Sequence, residues 1–317
     1  MTKFQSTSDL ADPSAVFNDV AGSSPYRGTP PTTKRTFFES DEISSLIKRG
    51  LFYARAGVPL NFQGAAGLGK TAIATEIAER LGRKVTLITG NAWMGSEDLI
   101  GKEVGQTNYT VVDKYIQRVR RSEAHLRYDW AESLLAEAMR AGHTLIYDEF
   151  TRSSAEANGI LLSVLEERVL ITTDRLADAT RIEAHPDFRI ILTSNPHDYA
   201  GVNVSPDALM DRMLTFRLGR YSLETETGIV TARSGLSPGT SARIVRAVRS
   251  FQQGGQKGED HSMRAGLMIA RIVAARQQTK PMSNALLAQI IADVLNGRGA
   301  ALSTSDIASA LTSNRGS

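Results

Sequence analysis

One eight-residue segment limits the possible folds of this chain more than any other. Residues 64–71 read Gly-Ala-Ala-Gly-Leu-Gly-Lys-Thr and fit the pattern G-x-x-x-x-G-K-[ST] of a loop that surrounds phosphate groups. The apolar segment 58–63 before it predicts a strand, and the spacing of Ile73, Ile77 and Leu81 after it predicts a helix over 70–81. A phosphate loop needs this order of strand, loop and helix. The segment therefore predicts a nucleoside triphosphate site and not a chance glycine-rich turn.

The residue types of this loop suit the chemistry of phosphate binding. Glycines allow backbone N–H groups to turn toward the β- and γ-phosphates, and the helix N-terminus adds a partial positive charge. Lys70 is predicted to neutralise phosphate charge, and Thr71 is predicted to offer its hydroxyl to Mg²⁺. The predicted nucleotide contacts are Gly64, Ala65, Ala66, Gly67, Leu68, Gly69, Lys70 and Thr71.

Two apolar segments end in polar side chains that a nucleotide-hydrolysing site requires. Residues 144–147 predict a buried strand, and Asp148 and Glu149 follow it. Because strand ends of α/β sheets face the ligand crevice, Asp148 is predicted to hold Mg²⁺ through water and Glu149 to orient or deprotonate the attacking water. Asn195 ends a second apolar strand. Its amide either reaches the γ-phosphate region or, with Pro196, only begins a turn.

Strands and helices alternate as far as residue 219. Strands are predicted at 58–63, 84–89, 144–147, 189–194 and 214–218, and helices at 42–56, 70–81, 128–141 and 155–167, with a long irregular segment at 90–127. This alternation predicts a parallel, doubly wound α/β sheet. Helices alone follow at 222–232, 240–252, 262–277 and 283–296 and predict a small all-helical domain. Residues 1–35, rich in Ser, Thr, Pro and Gly, predict a flexible tail.

Composition excludes several classes of function. The chain has 317 residues and no cysteine, which rules out disulfides and thiolate metal sites and fits a reducing cytoplasm. The five histidines lack the spacing of paired ligands, so no structural zinc is expected. No apolar run reaches the roughly 18 residues of a membrane span, and no apolar signal segment begins the chain. A net charge of +3 is too small to indicate a nucleic-acid partner.

The order of these motifs across residues 36–300 resembles that of an AAA+ ATPase. Residues 87–127 resemble the helix-two insertion of the MoxR branch, and residues 168–187 resemble its extra hairpin. A narrower similarity to the GvpN family of gas vesicle ATPases is carried by residues 147–153, 156–158, 161–167, 193–196, 199–202 and 208–212. The resemblance implies an AAA+ P-loop ATPase core over 36–219 with its insertion at 90–127, a helical lid over 220–300 and a C-terminal segment over 301–317.

The same resemblance implies roles for further polar residues. Asn195 matches the sensor-one position, and Arg264 matches the sensor-two arginine, which moves with the lid onto the γ-phosphate. Arg212 matches the arginine finger that reaches a neighbouring subunit's nucleotide, with Arg152 and Arg217 as rival candidates. An intersubunit finger implies a ring, typically a hexamer. The implied activity is Mg²⁺-dependent ATP hydrolysis, with catalytic residues Glu149, Asn195, Arg212 and Arg264 and metal ligands Thr71 and Asp148.

The resemblance also implies a biological setting. It implies a cytoplasmic protein that is associated with gas vesicles and remodels other gas vesicle proteins, including the shell protein. An accessory protein is implied to activate it. Two alternatives stay open: a MoxR-type ATPase that activates or metal-loads a partner enzyme, and a structural scaffold locked by ATP. A DNA translocase would need a strong basic stripe, against which the modest net charge argues.

The insertion at 90–127 carries aromatic and basic side chains without an assigned role. It includes Trp93, Met94, Tyr109 and Tyr115 and a basic run at 118–121. One interpretation is a surface hairpin and helix whose charges are solvated. The other is a segment that faces the centre of a ring or a partner protein.

Overall fold

The chain divides after Gly219 into an α/β unit and a helical unit. The computed structural model describes residues 37–111, 123–172, 180–195, 206–252, 263–277, 282–297 and 302–313. The α/β unit comprises Ile43–Gly219, and the helical unit combines residues 37–42 with the described residues from Arg220 onward. The predicted tail over 1–35 lies outside the described residues. Within the described ranges, no helix combines the length and apolar character needed to cross a bilayer.

The secondary structure of the α/β unit follows the predicted alternation. Its helices are α1 (Asp41–Arg55, counted in this unit from Ile43 onward), α2 (Lys70–Leu81), α3 (Ser96–Ile100), α4 (Leu134–Ala141), α5 (Ala155–Glu166) and α6 (Pro206–Met210). Its strands are β1 (Leu60–Gln63), β2 (Val85–Thr89), β3 (Gly101–Val111), β4 (Glu123–Glu132), β5 (Thr144–Asp148), β6 (Val169–Thr172), β7 (Thr180–Glu183), β8 (Arg189–Ser194) and β9 (Leu214–Arg217). A short 3₁₀ turn, Phe150–Arg152, follows β5.

Five of these strands form one parallel sheet in the order β2-β5-β8-β1-β9, which confirms the predicted parallel α/β class. The central strands are apolar because helices cover both faces of such a sheet; Leu145, Ile146 and Tyr147 of β5 have no exposed surface. The register places the carboxyl ends side by side, since Thr89 pairs with Asp148 and Gln63 pairs with Ser194. The sheet therefore gathers the ends of β1, β5 and β8 at one edge.

The insertion is a β-hairpin, and this corrects two predictions. The segment over 90–127 is not irregular throughout, because β3 pairs antiparallel with β4 from Gly101 opposite Glu132 to Val111 opposite Glu123. The helix predicted over 128–141 begins only at Leu134, since 123–132 is strand. Ser133 caps this helix by accepting from the N–H of Ala136 at 3.0 Å. Residues 115 and 118–121 lie outside the described residues.

A second, shorter hairpin lies between α5 and β8. Strand β6 pairs antiparallel with β7, with Val169 opposite Glu183 and Thr172 opposite Thr180. Residues 173–179 lie outside the described residues. The hairpin occupies the position at which the sequence resembles the extra hairpin of the MoxR branch.

The helical unit contains α7 (Leu223–Ser234), α8 (Pro238–Gln252), α9 (Met263–Gln277), α10 (Asn284–Asn296) and α11 (Thr304–Ser313). Its core is built from apolar stripes, as the periodicity predicts; Ile244, Ile269 and Ile291 have no exposed surface. The last helix adds Ile307 and Leu311 to this core. The helical region therefore continues past residue 300, where the sequence-based division placed a separate segment, because α11 buries its own apolar face here.

Candidate nucleotide site

The loop between β1 and α2 has the backbone geometry that its glycines allow. Gly67 and Gly69 adopt the left-handed conformation with φ of 89° and 78°. A side chain at Gly64 would place its Cβ 2.9 Å from the carbonyl oxygen of Leu218, so the chain approaches β9 too closely for any other residue. The loop ends at the N-terminus of the twelve-residue helix α2, whose dipole places a partial positive charge there.

Lys70 is nearly buried, with 9% of its surface exposed. Its ammonium donates to the carbonyl oxygens of Gly64 at 2.8 Å and Ala65 at 2.9 Å. These contacts hold the cation inside the curve of the loop. A phosphate oxygen placed there would exchange with neutral carbonyls as the ammonium's partner and form the stronger, charge-assisted bond.

One carboxylate oxygen at the end of β5 joins the phosphate loop to the neighbouring strand β8. Oδ1 of Asp148 accepts from the hydroxyl of Thr71 at 2.7 Å and from the hydroxyl of Thr193 at 2.5 Å. Mg²⁺ prefers oxygen ligands and is commonly held by one or two carboxylates together with substrate phosphates. The hydroxyl of Thr71 and the carboxylate of Asp148 are therefore a donor set that fits Mg²⁺. Among the residues that the structure describes, no group of three or more His, Cys, Asp or Glu forms a metal site.

Glu149 has an unusual backbone conformation for a residue other than glycine, with φ of 53°. Two contacts fix it: its N–H donates to the hydroxyl of Thr193 at 2.8 Å, and its carboxylate pairs with the guanidinium of Arg152 at 2.8 Å. Gly90 makes room for it, because a Cβ at position 90 would lie 2.4 Å from the Glu149 carbonyl oxygen. The sheet edge thus holds the second acidic residue in a defined position.

The turn after Glu149 is anchored to the core. The hydroxyls of Tyr147 and Ser153 are 2.7 Å apart, and the Tyr147 hydroxyl also lies 3.1 Å from the sulfur of Met94, in the insertion. The amide of Asn158 donates to the carbonyl of Phe150 at 3.2 Å. Burial raises the pKa of Tyr147 to about 12, so its hydroxyl stays protonated.

The remaining predicted residues occupy three different places. Asn195 directly follows β8 and is partly buried. Arg212 lies between α6 and β9, where its guanidinium donates to Glu166 at 2.7 Å and to the carbonyl of Ala208 at 2.6 Å. Arg264 is the second residue of α9, in the helical unit, and is exposed. Their predicted roles in hydrolysis stay predictions.

Two residues of the site are absent from the sequence-based prediction. Thr193 binds both Asp148 and Glu149, and Gly90 permits the close approach of the Glu149 backbone. Thr193 carries a recognisable signal, since it is the first polar residue after the apolar run at 190–192. Gly90 carries a weaker signal: it is the glycine that directly follows the edge strand β2.

Comparisons with known proteins agree on this architecture. Residues 59–213 match the family described as AAA domain (dynein-related subfamily). The gas vesicle ATPase GvpN of Ancylobacter aquaticus is 39% identical over 268 residues, which cover 84% of this chain and 75% of that protein. The GvpN of Haloferax mediterranei is 34% identical, covering 83% and 74%. A mutant of Thermotoga maritima RuvB shares the fold at a TM-score of 0.52 and 16% identity, covering 82% and 71%.

Proposed function

The chain belongs to the GvpN family of AAA+ ATPases, and from this membership we propose that it hydrolyses ATP, with Mg²⁺, to remodel client proteins during gas vesicle assembly and growth. The observation that carries the hydrolysis is the shared oxygen of Asp148. It brings Thr71 of the phosphate loop and Thr193 of the neighbouring strand to one point, with Glu149 next in the chain. ATP hydrolysis needs the phosphate loop, the carboxylate that would hold Mg²⁺ and the residue that acts on the water at one point.

The phosphate loop provides binding and charge neutralisation. Backbone N–H groups of residues 64–71 surround the β- and γ-phosphates, and Lys70 exchanges the Gly64 and Ala65 carbonyls for phosphate oxygens. Thr71 and Asp148 would hold Mg²⁺, which would neutralise charge on the phosphates. Thr193 keeps the Asp148 carboxylate in place from the opposite side.

Glu149 acts on the attacking water. Its carboxylate accepts the proton as the water oxygen attacks the γ-phosphorus, and ADP leaves. Its backbone is fixed by the bond from its N–H to Thr193, so the carboxylate starts from a defined position. Asn195, at the end of β8, contacts the γ-phosphate or the same water.

A ring completes the site. Arg212 reaches the nucleotide of the neighbouring subunit, and such a finger contributes about 10³- to 10⁵-fold to the rate. To do so it exchanges Glu166 and the Ala208 carbonyl for phosphate oxygens. Arg152 is already paired within its own chain, and Arg217 ends β9. Arg264 reaches the γ-phosphate as the lid moves. The ring is a hexamer in this proposal.

The clients are other gas vesicle proteins, the shell protein among them, and an activating accessory protein assists. The support is the similarity to two proteins named gas vesicle ATPases. The protein acts in the cytoplasm and at the vesicle surface.

The decisive experiment separates hydrolysis from binding. Glu149→Gln removes the base and keeps the size of the side chain, so the purified variant should bind ATP as wild type does and turn it over at least about 100-fold more slowly. Cells that carry the remaining gas vesicle genes and this variant should lack mature vesicles, whereas cells with Arg80→Ala should form them. Normal vesicles with Glu149→Gln would instead support the ATP-locked scaffold.

A further inference from the structure

We propose that Arg152 is a positioning residue for hydrolysis, which acts within its own subunit by holding the carboxylate of Glu149 toward the attacking water. The guanidinium and carboxylate are 2.8 Å apart, between Nη1 of Arg152 and Oε2 of Glu149. The contact engages Oε2 of the carboxylate, and in this proposal Oε1 acts on the water. The inference rests on the proposed function, since it assigns a role in ATP hydrolysis.

The 3₁₀ turn makes this pair different from an ordinary surface ion pair. Glu149 caps the 3₁₀ segment Phe150–Arg152 at its start, and Arg152 is the last residue of that segment. The left-handed conformation of Glu149 begins the turn, and the N–H of Arg152 donates to the Glu149 carbonyl at 3.0 Å. The backbone of the turn therefore places residues 149 and 152 next to each other, which favours contact between their side chains.

The surroundings of the turn fix its backbone on both sides of the pair. Thr193 accepts from the Glu149 N–H, and Asn158 donates to the Phe150 carbonyl. The buried hydroxyl pair of Tyr147 and Ser153 fixes the end of the turn. A catalytic carboxylate performs best when neighbouring contacts limit its rotamers, because small displacements of a general base lower the rate steeply.

The rival role for Arg152 is that of an intersubunit finger. A finger must project toward another subunit's nucleotide, and Arg152 would have to leave Glu149 to do so. The two roles differ in the nucleotide site on which Arg152 acts. A positioning residue acts on Glu149 of its own chain, whereas a finger acts on the nucleotide bound to the neighbouring subunit.

Steady-state kinetics of single variants give the first test. Arg152→Ala should lower kcat by about 10- to 100-fold and change KM for ATP by less than about threefold, because orientation of the base affects the chemical step and not binding. Arg152→Lys should recover part of the loss, since it retains a cation. The matched control is Arg80→Ala, which removes the 2.7 Å pair with Glu76 on α2 and should leave both constants unchanged.

Mixed assemblies give the second test. Equal amounts of Glu149→Gln and Arg152→Ala chains are combined with ATP, and co-assembly is verified by particle mass. Positioning within one chain predicts no more activity than the two variants show separately. Restored activity would overturn the inference, because Arg152 of one chain would then be serving the site of another.

Two further outcomes also overturn it: wild-type kcat in Arg152→Ala, or a loss confined to KM. Failure of the proposed function is distinguishable from these results, because wild-type protein would then show no turnover at all. Should Arg152→Ala fail to fold by circular dichroism, Arg152→Lys and Arg152→Gln supply the same comparison of kcat with KM.

Discussion

Thr193→Val should weaken the α/β unit through the loss of two hydrogen bonds. Thr193 has no exposed surface, and its hydroxyl donates to Asp148 at 2.5 Å while it accepts from the N–H of Glu149 at 2.8 Å. A bond to a carboxylate contributes about 1.5–3 kcal/mol, and one between neutral groups contributes about 0.5–1.5 kcal/mol. Because Asp148 is only partly buried, the lower half of the combined range applies, and we expect a loss of about 2–3 kcal/mol.

Urea unfolding followed by far-ultraviolet circular dichroism measures this loss as a lower free energy of unfolding. Valine nearly matches the shape of threonine, so no cavity complicates the comparison. Thr193→Ser is the matched control: it keeps the hydroxyl, loses one methyl group, and should cost about 1 kcal/mol. The ATPase rate should fall in Thr193→Val and change little in Thr193→Ser.

Two results would refute the reasoning. One is a free energy of unfolding for Thr193→Val within about 0.5 kcal/mol of wild type, the usual range of a substitution without structural consequence. The other is an equal loss in Thr193→Ser, which would assign the effect to packing of the methyl group and not to the hydroxyl.

Three further perturbations test other parts of the account. Lys70→Ala should weaken ATP binding by about 100-fold or more in calorimetry, with an unchanged far-ultraviolet circular dichroism spectrum; a collapsed spectrum would contradict this. Gly90→Ala should destabilise by about 1–3 kcal/mol and slow hydrolysis, because its Cβ would lie 2.4 Å from the Glu149 carbonyl oxygen and must displace that backbone; wild-type turnover would oppose it. Burial of Glu42 acts to raise its pKa, but hydrogen bonds from Thr225 and Ser222 outweigh burial and hold the pKa of this carboxyl below its usual value. Because the pKa of Glu42 is lower in the folded state than in the unfolded state, its ionised carboxylate stabilises the helical unit at pH values above the unfolded-state pKa. This stabilisation is lost as the pH falls through the folded-state pKa. Glu42→Gln should therefore flatten the acid dependence of thermal stability, and an unaltered dependence would exclude this contribution.

The central sheet and the phosphate loop could be predicted because their signals are local. The glycine pattern at 64–69 specifies left-handed backbone positions, and Gly67 and Gly69 adopt them. The apolar run before Asp148 specifies a buried strand, and β5 is buried along its length up to that residue. In each case neighbouring residues carry the whole signal.

The start of α4 could not be predicted from apolar spacing. Ala131 fits the helical pattern that continues from Leu134, yet residues 123–132 form a strand that pairs with residues 101–111. Tyr128 and Trp130 favour strands, and Ser133 is a preferred N-cap, so tertiary pairing and capping together decide the boundary.

The contacts of the candidate site depend on residues far apart in the chain. Arg212 pairs with Glu166, 46 positions earlier, and Thr193 reaches Asp148, 45 positions earlier. The conformation of Glu149 could not be predicted from the sequence either, because a left-handed backbone is uncommon in residues other than glycine. Here it depends on the space that Gly90 leaves.

Titration of ATP into the purified wild-type chain in the presence of Mg²⁺ tests the central claim most directly. We predict saturable binding that disappears without Mg²⁺ or in the Asp148→Ala variant, because the Thr71 and Asp148 oxygens then no longer hold the metal beside the phosphates. Absence of binding by folded wild-type protein, or equal binding by Asp148→Ala with Mg²⁺, would contradict the account.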